Sequence, residues 1–183
     1  MRPFIAIDLP EKVKKQVIDI QKKLNIGRLS FPKPEALHLT LLFLGNIEES
    51  GIETLKQCLQ KVKFEKFDLK TTKTAFLGNK NYLRVIYLDL EESKELQNLV
   101  KKIDSAVKSF NIKRDFPFKA HITIARIKIL IPQERKKIRI LVSGINRNLE
   151  ENSFGVSEFR LYSSKLTREG PVYSIVDTVS GSS

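Results

Sequence analysis

At 183 residues, 41% hydrophobic and 30% charged, the chain has the composition of a soluble globular protein with one substantial core, or two small lobes sharing one, and not that of a disordered segment. No apolar run approaches the roughly 20 residues of a membrane span, and Asp8 comes too early for a secretory signal, so a cytoplasmic protein without membrane association is expected. The formal charge of +12 fits a surface for polyanions, nucleic acid first, or a lysine-rich surface suited to solubility or heat resistance, and the single Cys58 excludes an intramolecular disulfide and a cysteine-based zinc site.

The first apolar run, 3–9, reads as a strand buried on both faces and ended by Pro10. Val13, Val17, Ile20 and Leu24 then recur at helical spacing, which predicts an amphipathic helix over 11–24 closed by Gly27. Residues 28–36 read as a connection, 38–44 as a strand stopped by Gly45 and Asn46, and 48–62 as a second helix, with Cys58 among Leu55, Leu59 and Val62 and therefore in the core. Two strands, 65–77 and 82–90, flank a hairpin turn at 78–81. A helix over 91–110 carries Leu96, Leu99, Val100, Ile103 and Val107. A strand over 120–127, a helix within 132–145, a strand over 154–163, a turn at 165–170, a strand over 171–179 and a frayed tail at 180–183 complete the chain.

The second half repeats the first. Ile5-Ala6-Ile7-Asp8-Leu9 matches Ile86-Tyr87-Leu88-Asp89-Leu90 at an offset of 81, and a lysine-rich helix follows each. His38-Leu39-Thr40-Leu41 then matches His121-Ile122-Thr123-Ile124 at an offset of 83. The chain has only two histidines and 8 threonines, so a Thr two places after both would arise by chance in roughly two of a thousand such chains. Strand, helix, then a His-bearing strand is the unit of the duplication, with pseudo-repeats over about 3–80 and 81–165 of a single bilobal domain 1–183. The expected fold is α+β: two mostly antiparallel sheets line a central cleft, with helices packed outside.

Residues i and i+2 of a strand share a face, so His38 with Thr40, and His121 with Thr123, point into the cleft, while Leu39, Leu41, Ile122 and Ile124 point into the core. Two opposed imidazoles can remove a proton from a nucleophile and deliver another to a leaving group, the division of labour that phosphodiester cleavage needs. The two hydroxyls can donate to the non-bridging oxygens, where charge builds. Two histidines and no cysteine cluster leave little for a transition-metal site, and no metal or cofactor is expected, although a carboxylate-bound magnesium stays open.

These residues resemble the paired HxTx motifs of the 2H phosphoesterases. Arg2-Pro3-Phe4-Ile5-Ala6-Ile7-Asp8-Leu9-Pro10, Phe43-Leu44-Gly45, Ala125-Arg126, Leu161-Tyr162-Ser163-Ser164 and Gly170-Pro171-Val172-Tyr173 narrow the resemblance to the LigT-like RNA 2′,3′-cyclic phosphodiesterase branch, historically called 2′-5′ RNA ligase, over nearly the whole chain. The resemblance implies a bilobal LigT-like fold and metal-independent hydrolysis of RNA 2′,3′-cyclic phosphate ends to 2′-phosphomonoesters, with His38 as proton donor to the leaving O3′ and His121 as the proton acceptor that activates water. It also brings in one alternative, 2′-5′ ligation of tRNA halves, and the charge of +12 fits a third reading equally well, an RNA-binding module that keeps the fold without turnover. A monomer is the default.

Arg126, five places after His121, falls on the opposite face of a regular strand, so a part in the site requires a bulge or strand end there. It has two open readings, a contact to phosphate or base and a structural ion pair. Its first-half equivalent is Phe43, which with Phe4 is a candidate for stacking on the base, against a core reading for both. Tyr162 is a weaker candidate.

Overall fold

The β-branched and aromatic runs form strands whose apolar faces lie against one core, with the helical apolar stripes closing it from behind. The computed structural model describes residues 1–79, 82–112, 114, 116–167 and 170–182, the side chain at 166 excepted. In chain order the elements are β1 (Arg2–Asp8), α1 (Glu11–Lys23), β2 (Arg28–Ser30), β3 (His38–Phe43), α2 (Glu49–Gln60), β4 (Phe67–Gly78), β5 (Leu83–Leu90), α3 (Lys94–Ala106), β6 (His121–Ile129), α4 (Pro132–Arg147), β7 (Ser153–Val156), β8 (Glu158–Thr167) and β9 (Gly170–Ser180).

All strand pairings between these elements are antiparallel, in the order β7-β4-β5-β6-β3-β1-β8-β9, with β2 alongside β6. The sheet is symmetric about the β3/β6 neighbours: β5 flanks β6 as β1 flanks β3, and β4 and β8 come next on either side. The half-sheets join through a single register pair, Leu39↔Ile122, both fully buried. The His-bearing strands are therefore adjacent at a seam. The half-sheets also exchange strands relative to the sequence, since β4 pairs with β5 and β8 with β1.

The helices bury the stripes that their spacing indicates: Val13, Val17 and Ile20 from α1, Leu55 and Leu59 from α2, and Leu96, Leu99, Val100 and Ile103 from α3. α1 packs behind β6 and α3 behind β3. α4 is pinned to β4 by Asn146, whose Oδ1 accepts the Thr74 N–H (2.7 Å) and hydroxyl (2.6 Å) and whose Nδ2 donates to the Thr74 carbonyl (2.9 Å). No helix of the described residues is long and apolar enough to cross a membrane.

Several sequence expectations are corrected. The connection at 28–36 contains β2, which pairs with β6. The single strand expected over 154–163 is two, β7 pairing with β4 and β8 with β1, because the chain passes from one half-sheet to the other at Ser157. α3 is shorter than 91–110, since Ser93 Oγ caps it by accepting the Leu96 N–H (3.0 Å) and Asn111 beyond it adopts a left-handed conformation. The tail is tied down rather than frayed: the Ser182 N–H donates to the Phe64 carbonyl (2.9 Å) and the Ser182 carbonyl accepts from the Lys66 N–H (3.1 Å). Cys58 is half-buried at the edge of α2, not in the core. Parts of the turns expected at 78–81 and 165–170, and the last residue of the tail, lie outside the described residues.

The seam rests on very few atoms. Ile122→Ala should lower the unfolding free energy by about 2–5 kcal/mol in urea titration; a loss below about 1 kcal/mol would mean that the seam is not a principal packing contact.

Candidate functional site

Alternation in β3 and β6 sends Leu39, Leu41, Ile122 and Ile124 into the core and leaves His38, Thr40, His121 and Thr123 half-buried on the opposite face. Counting outward from Leu39↔Ile122, antiparallel pairing sets His38 across from Thr123 and Thr40 across from His121. The four side chains thus form a crossed pair of His/Thr couples around the pseudo-two-fold.

The next three positions break the alternation in the same way on both strands. Ile5 pairs with Leu42 and Ala6 with Thr40, which leaves Leu41 as the extra residue of a β-bulge. Ile86 pairs with Ala125 and Tyr87 with Thr123, which leaves Ile124 as the extra residue at the equivalent place. Consecutive residues Leu41 and Leu42, and Ile124 and Ala125, are buried, so the phase inverts and Phe43 and Arg126 emerge on the histidine face.

A bulge removes a carbonyl from the ladder, and each is met by a side chain. Gln21 of α1 donates to the Ile124 carbonyl (3.0 Å) and also to the Pro32 carbonyl (3.2 Å). Arg114 donates to the Leu41 carbonyl (2.7 Å) while its other nitrogens grip Asp104 (2.6 to 3.1 Å). A buried carbonyl left without a donor costs about 1–3 kcal/mol, so these contacts hold the inverted phase.

Both imidazoles are oriented alike. His38 Nδ1 is 2.8 Å from the Ala36 carbonyl and His121 Nδ1 is 2.8 Å from the Lys119 carbonyl. A carbonyl only accepts, so Nδ1 carries the hydrogen in each, and Nε2 is left for chemistry. Burial pushes His38 below the ordinary 6.5; the bond to Ala36 and the Asp8 carboxylate oppose this, while Arg126 and His121 reinforce it. His121 is lowered by burial too, against the bond to Lys119, with Arg126 and Lys119 adding to the shift and Asp89 opposing it. Arg126 therefore acts on both rings, and its guanidinium has no ion-pair partner among the described residues.

The carboxylates obey the same symmetry. Asp8 is the register partner of His38 and Asp89 that of His121. Asp8 is drawn away by Arg160 (2.5 Å), itself bound to Glu158 (2.6 Å), and by the Tyr162 hydroxyl. Burial and the bond to Asp8 push Tyr162 up to about 12, so it stays protonated as a donor. Asp89 accepts the Leu90 N–H (3.1 Å) and has Lys119 at 3.9 Å. Among the described residues no three His, Cys, Asp or Glu side chains cluster as a metal-binding group.

The surroundings differ. Phe4 (4.9 Å) and Tyr173 (5.4 Å) pack on the His38 ring, and Phe43 lies 5.9 Å beyond Phe4. His121 has Tyr87 edge-on at 5.6 Å, with Lys119 over that ring. Phe43 is 64% exposed, which corrects its core reading, whereas Phe4 at 2% shows no free face; packed among His38, Phe43, Tyr162 and Tyr173, it supports the site and is corrected as a stacking surface. The structure thus brings His38, His121, Thr40, Thr123 and Arg126 together and places Phe43 at the margin. Sequence reasoning missed Gln21 and Arg114, for which no local pattern exists, and it gave no part in the site to Tyr173, quoted only within the resemblance, or to Asp8 and Asp89, matched only as members of the repeat.

A family model described as LigT like phosphoesterase matches residues 7–87 and again residues 88–173. The RNA 2′,3′-cyclic phosphodiesterase of Archaeoglobus fulgidus is 33% identical over 94% of this chain and 96% of its own length, and the one of Thermotoga maritima 30% over 96% and 93%. Among solved structures, the protein TT0787 of Thermus thermophilus is similar with a TM-score of 0.81 at 27% identity, covering 98% of this chain and 97% of that one. Escherichia coli LigT shares the fold with a TM-score of 0.77 at 23% identity, covering 100% and 98%.

Gln21→Leu should cost about 1–3 kcal/mol in denaturant unfolding, since it orphans the Ile124 carbonyl; wild-type stability would show that the bulge does not need it. Because burial lowers both histidines, their imidazole resonances should titrate with midpoints below 6.5 in the free protein, and a midpoint above 6.5 for either would contradict the electrostatics described.

Proposed function

The chain belongs to the LigT-like phosphoesterase family, and on that premise we propose that it hydrolyses RNA 2′,3′-cyclic phosphate ends to 2′-phosphomonoesters by two-histidine general acid/base catalysis. The observation that carries this reading is the pair of imidazoles, each fixed through Nδ1 and presenting Nε2 from opposite sides of the seam beside a hydroxyl.

His121, neutral with its Nδ1–H on the Lys119 carbonyl, takes a proton from water at Nε2 as the water oxygen bonds to phosphorus. The P–O3′ bond breaks, and His38, protonated on both nitrogens, gives its Nε2 proton to O3′. The products are a 2′-phosphate and a free 3′-hydroxyl, and the two histidines end with exchanged protonation states. Thr40 and Thr123, whose hydroxyls have no partner among the described residues, donate to the non-bridging oxygens as charge accumulates. Arg126 adds a full positive charge on the same face, and its emergence there favours the phosphate-contact reading over a structural ion pair.

In the free protein both histidines are depressed, so the singly protonated pair is abundant only on the acidic side of neutrality. An anionic cyclic phosphate between them favours the imidazolium and restores the acid on binding. Phe43, exposed beside the His38 end, offers the terminal base a stacking face.

His38→Ala and His121→Ala should each lower kcat on a 2′,3′-cyclic mononucleotide by about 10²–10⁴-fold, with 2′-phosphate as the product of the wild-type enzyme; near-full activity of the double variant would sink the mechanism. The profile of kcat/KM against pH should be bell-shaped, with its maximum below pH 6.5: the acid limb protonates the base and the alkaline limb deprotonates the acid, and both free-protein values lie below the ordinary one. A maximum well above neutrality would assign the limbs to other groups.

A further inference from the structure

The short strand β2 has no counterpart in the motif argument, yet it extends the histidine face. Ser30 pairs with Arg126 and Leu29 with Ile127, and the register then slips so that Arg28 meets Ile129, with Lys128 the extra residue on β6. Leu29 and Ile127 pack on the core, which fixes the direction of the others. Arg28 and Ser30 alternate with Leu29, and Arg126 and Lys128 with Ile127, so all four stand on the face that carries His121, and all four are exposed. Arg28, Arg126 and Lys128 have no ion-pair partner among the described residues. The nearby carboxylates are Glu134, whose Oε2 accepts the Ile131 N–H (3.0 Å) at the far end beside Gly27, and Glu35 in the Pro34–Ala36 turn.

We propose that this ledge of β2 and β6 is a phosphate track for the RNA strand that leads to the cyclic end, so that the preferred substrate is an oligonucleotide and not a mononucleotide. The inference rests on the hydrolytic reading of the site and adds to it the direction and class of the substrate. The site has two unlike exits. Beside His38 lies the exposed Phe43, backed by the buried Phe4, a surface for one base; past Arg126 lie cations and a hydroxyl on an open edge, a surface for phosphates. Residues i and i+2 along β6 are about 7 Å apart, so Arg126 and Lys128 can serve successive phosphates of an extended chain. Arg126, nearest the histidines, takes the reacting phosphate, and Lys128, Ser30 and Arg28 take those upstream. Backbone contacts of this kind carry no base preference, and their affinity falls with salt.

The experiment compares a 2′,3′-cyclic mononucleotide with a short single-stranded oligonucleotide ending in the same cyclic phosphate, on the wild type, Lys128→Gln and Arg28→Gln. The wild type should prefer the oligonucleotide in kcat/KM. Each variant should lose most of that preference and keep mononucleotide turnover, which also reports an intact fold, because the mononucleotide has no upstream phosphate. Binding of an oligonucleotide ending in a 2′-phosphate, followed by fluorescence anisotropy against salt, should show the log–log slope reduced by roughly one per variant. An oligonucleotide preference absent from the wild type, or unchanged in both variants with an unchanged salt slope, overturns the track and leaves the hydrolytic reading standing. Absence of turnover on both substrates overturns the hydrolytic reading, and the salt slopes then decide the track separately.

Discussion

One pair of side chains, Leu39 and Ile122, holds the two half-sheets in register, and the geometry of the site follows from that contact. Both are fully buried, so their strands cannot slide by one residue without turning an apolar side chain to solvent and a histidine into the core. The register so fixed crosses His38 with Thr123 and His121 with Thr40. A single pair lets β3 and β6 part beyond it, and from Arg126 onward β6 pairs with β2 instead.

The matched bulges at Leu41 and Ile124 add the second layer of control. Each gives up regular pairing to bring one more side chain, Phe43 or Arg126, to the working face. The freed carbonyls are met by Gln21 of α1 and by Arg114 between α3 and β6, which lie outside the bulged strands and differ chemically. The same backbone device is thus used twice with different side chains, so a symmetric scaffold presents an unsymmetric surface, aromatic at one end and cationic at the other.

The electrostatics follow the same logic. Desolvation lowers both histidines, and the two aspartates that could oppose it are unequally committed, Asp8 to Arg160 and Tyr162, Asp89 to a distant Lys119. The ring nitrogen that each histidine has engaged, Nδ1, is held by a backbone carbonyl and not by a carboxylate. Orientation of the rings is therefore a backbone property, set two residues upstream of each histidine, and charge enters only at longer range.

The sequence by itself determined the duplication, the helical stripes and the sharing of a face by each His and Thr, because these depend on periods of about 3.6 and 2 that are local to the chain. It also identified the condition on which Arg126 depends, a bulge. Only the tertiary structure decided that the bulge exists, that β2 is a strand, that 154–163 divides between two half-sheets and that Phe4 is buried while Phe43 is not. Each of these is fixed by a partner far away in the chain: Ile86 and Tyr87 for the bulge, β6 for β2, β4 and β1 for the divided strand, and Tyr162 and Tyr173 for Phe4. Local periodicity gives a side chain its direction, but the pairing register gives it its neighbours, and register is a property of contacts that no stretch of sequence contains alone.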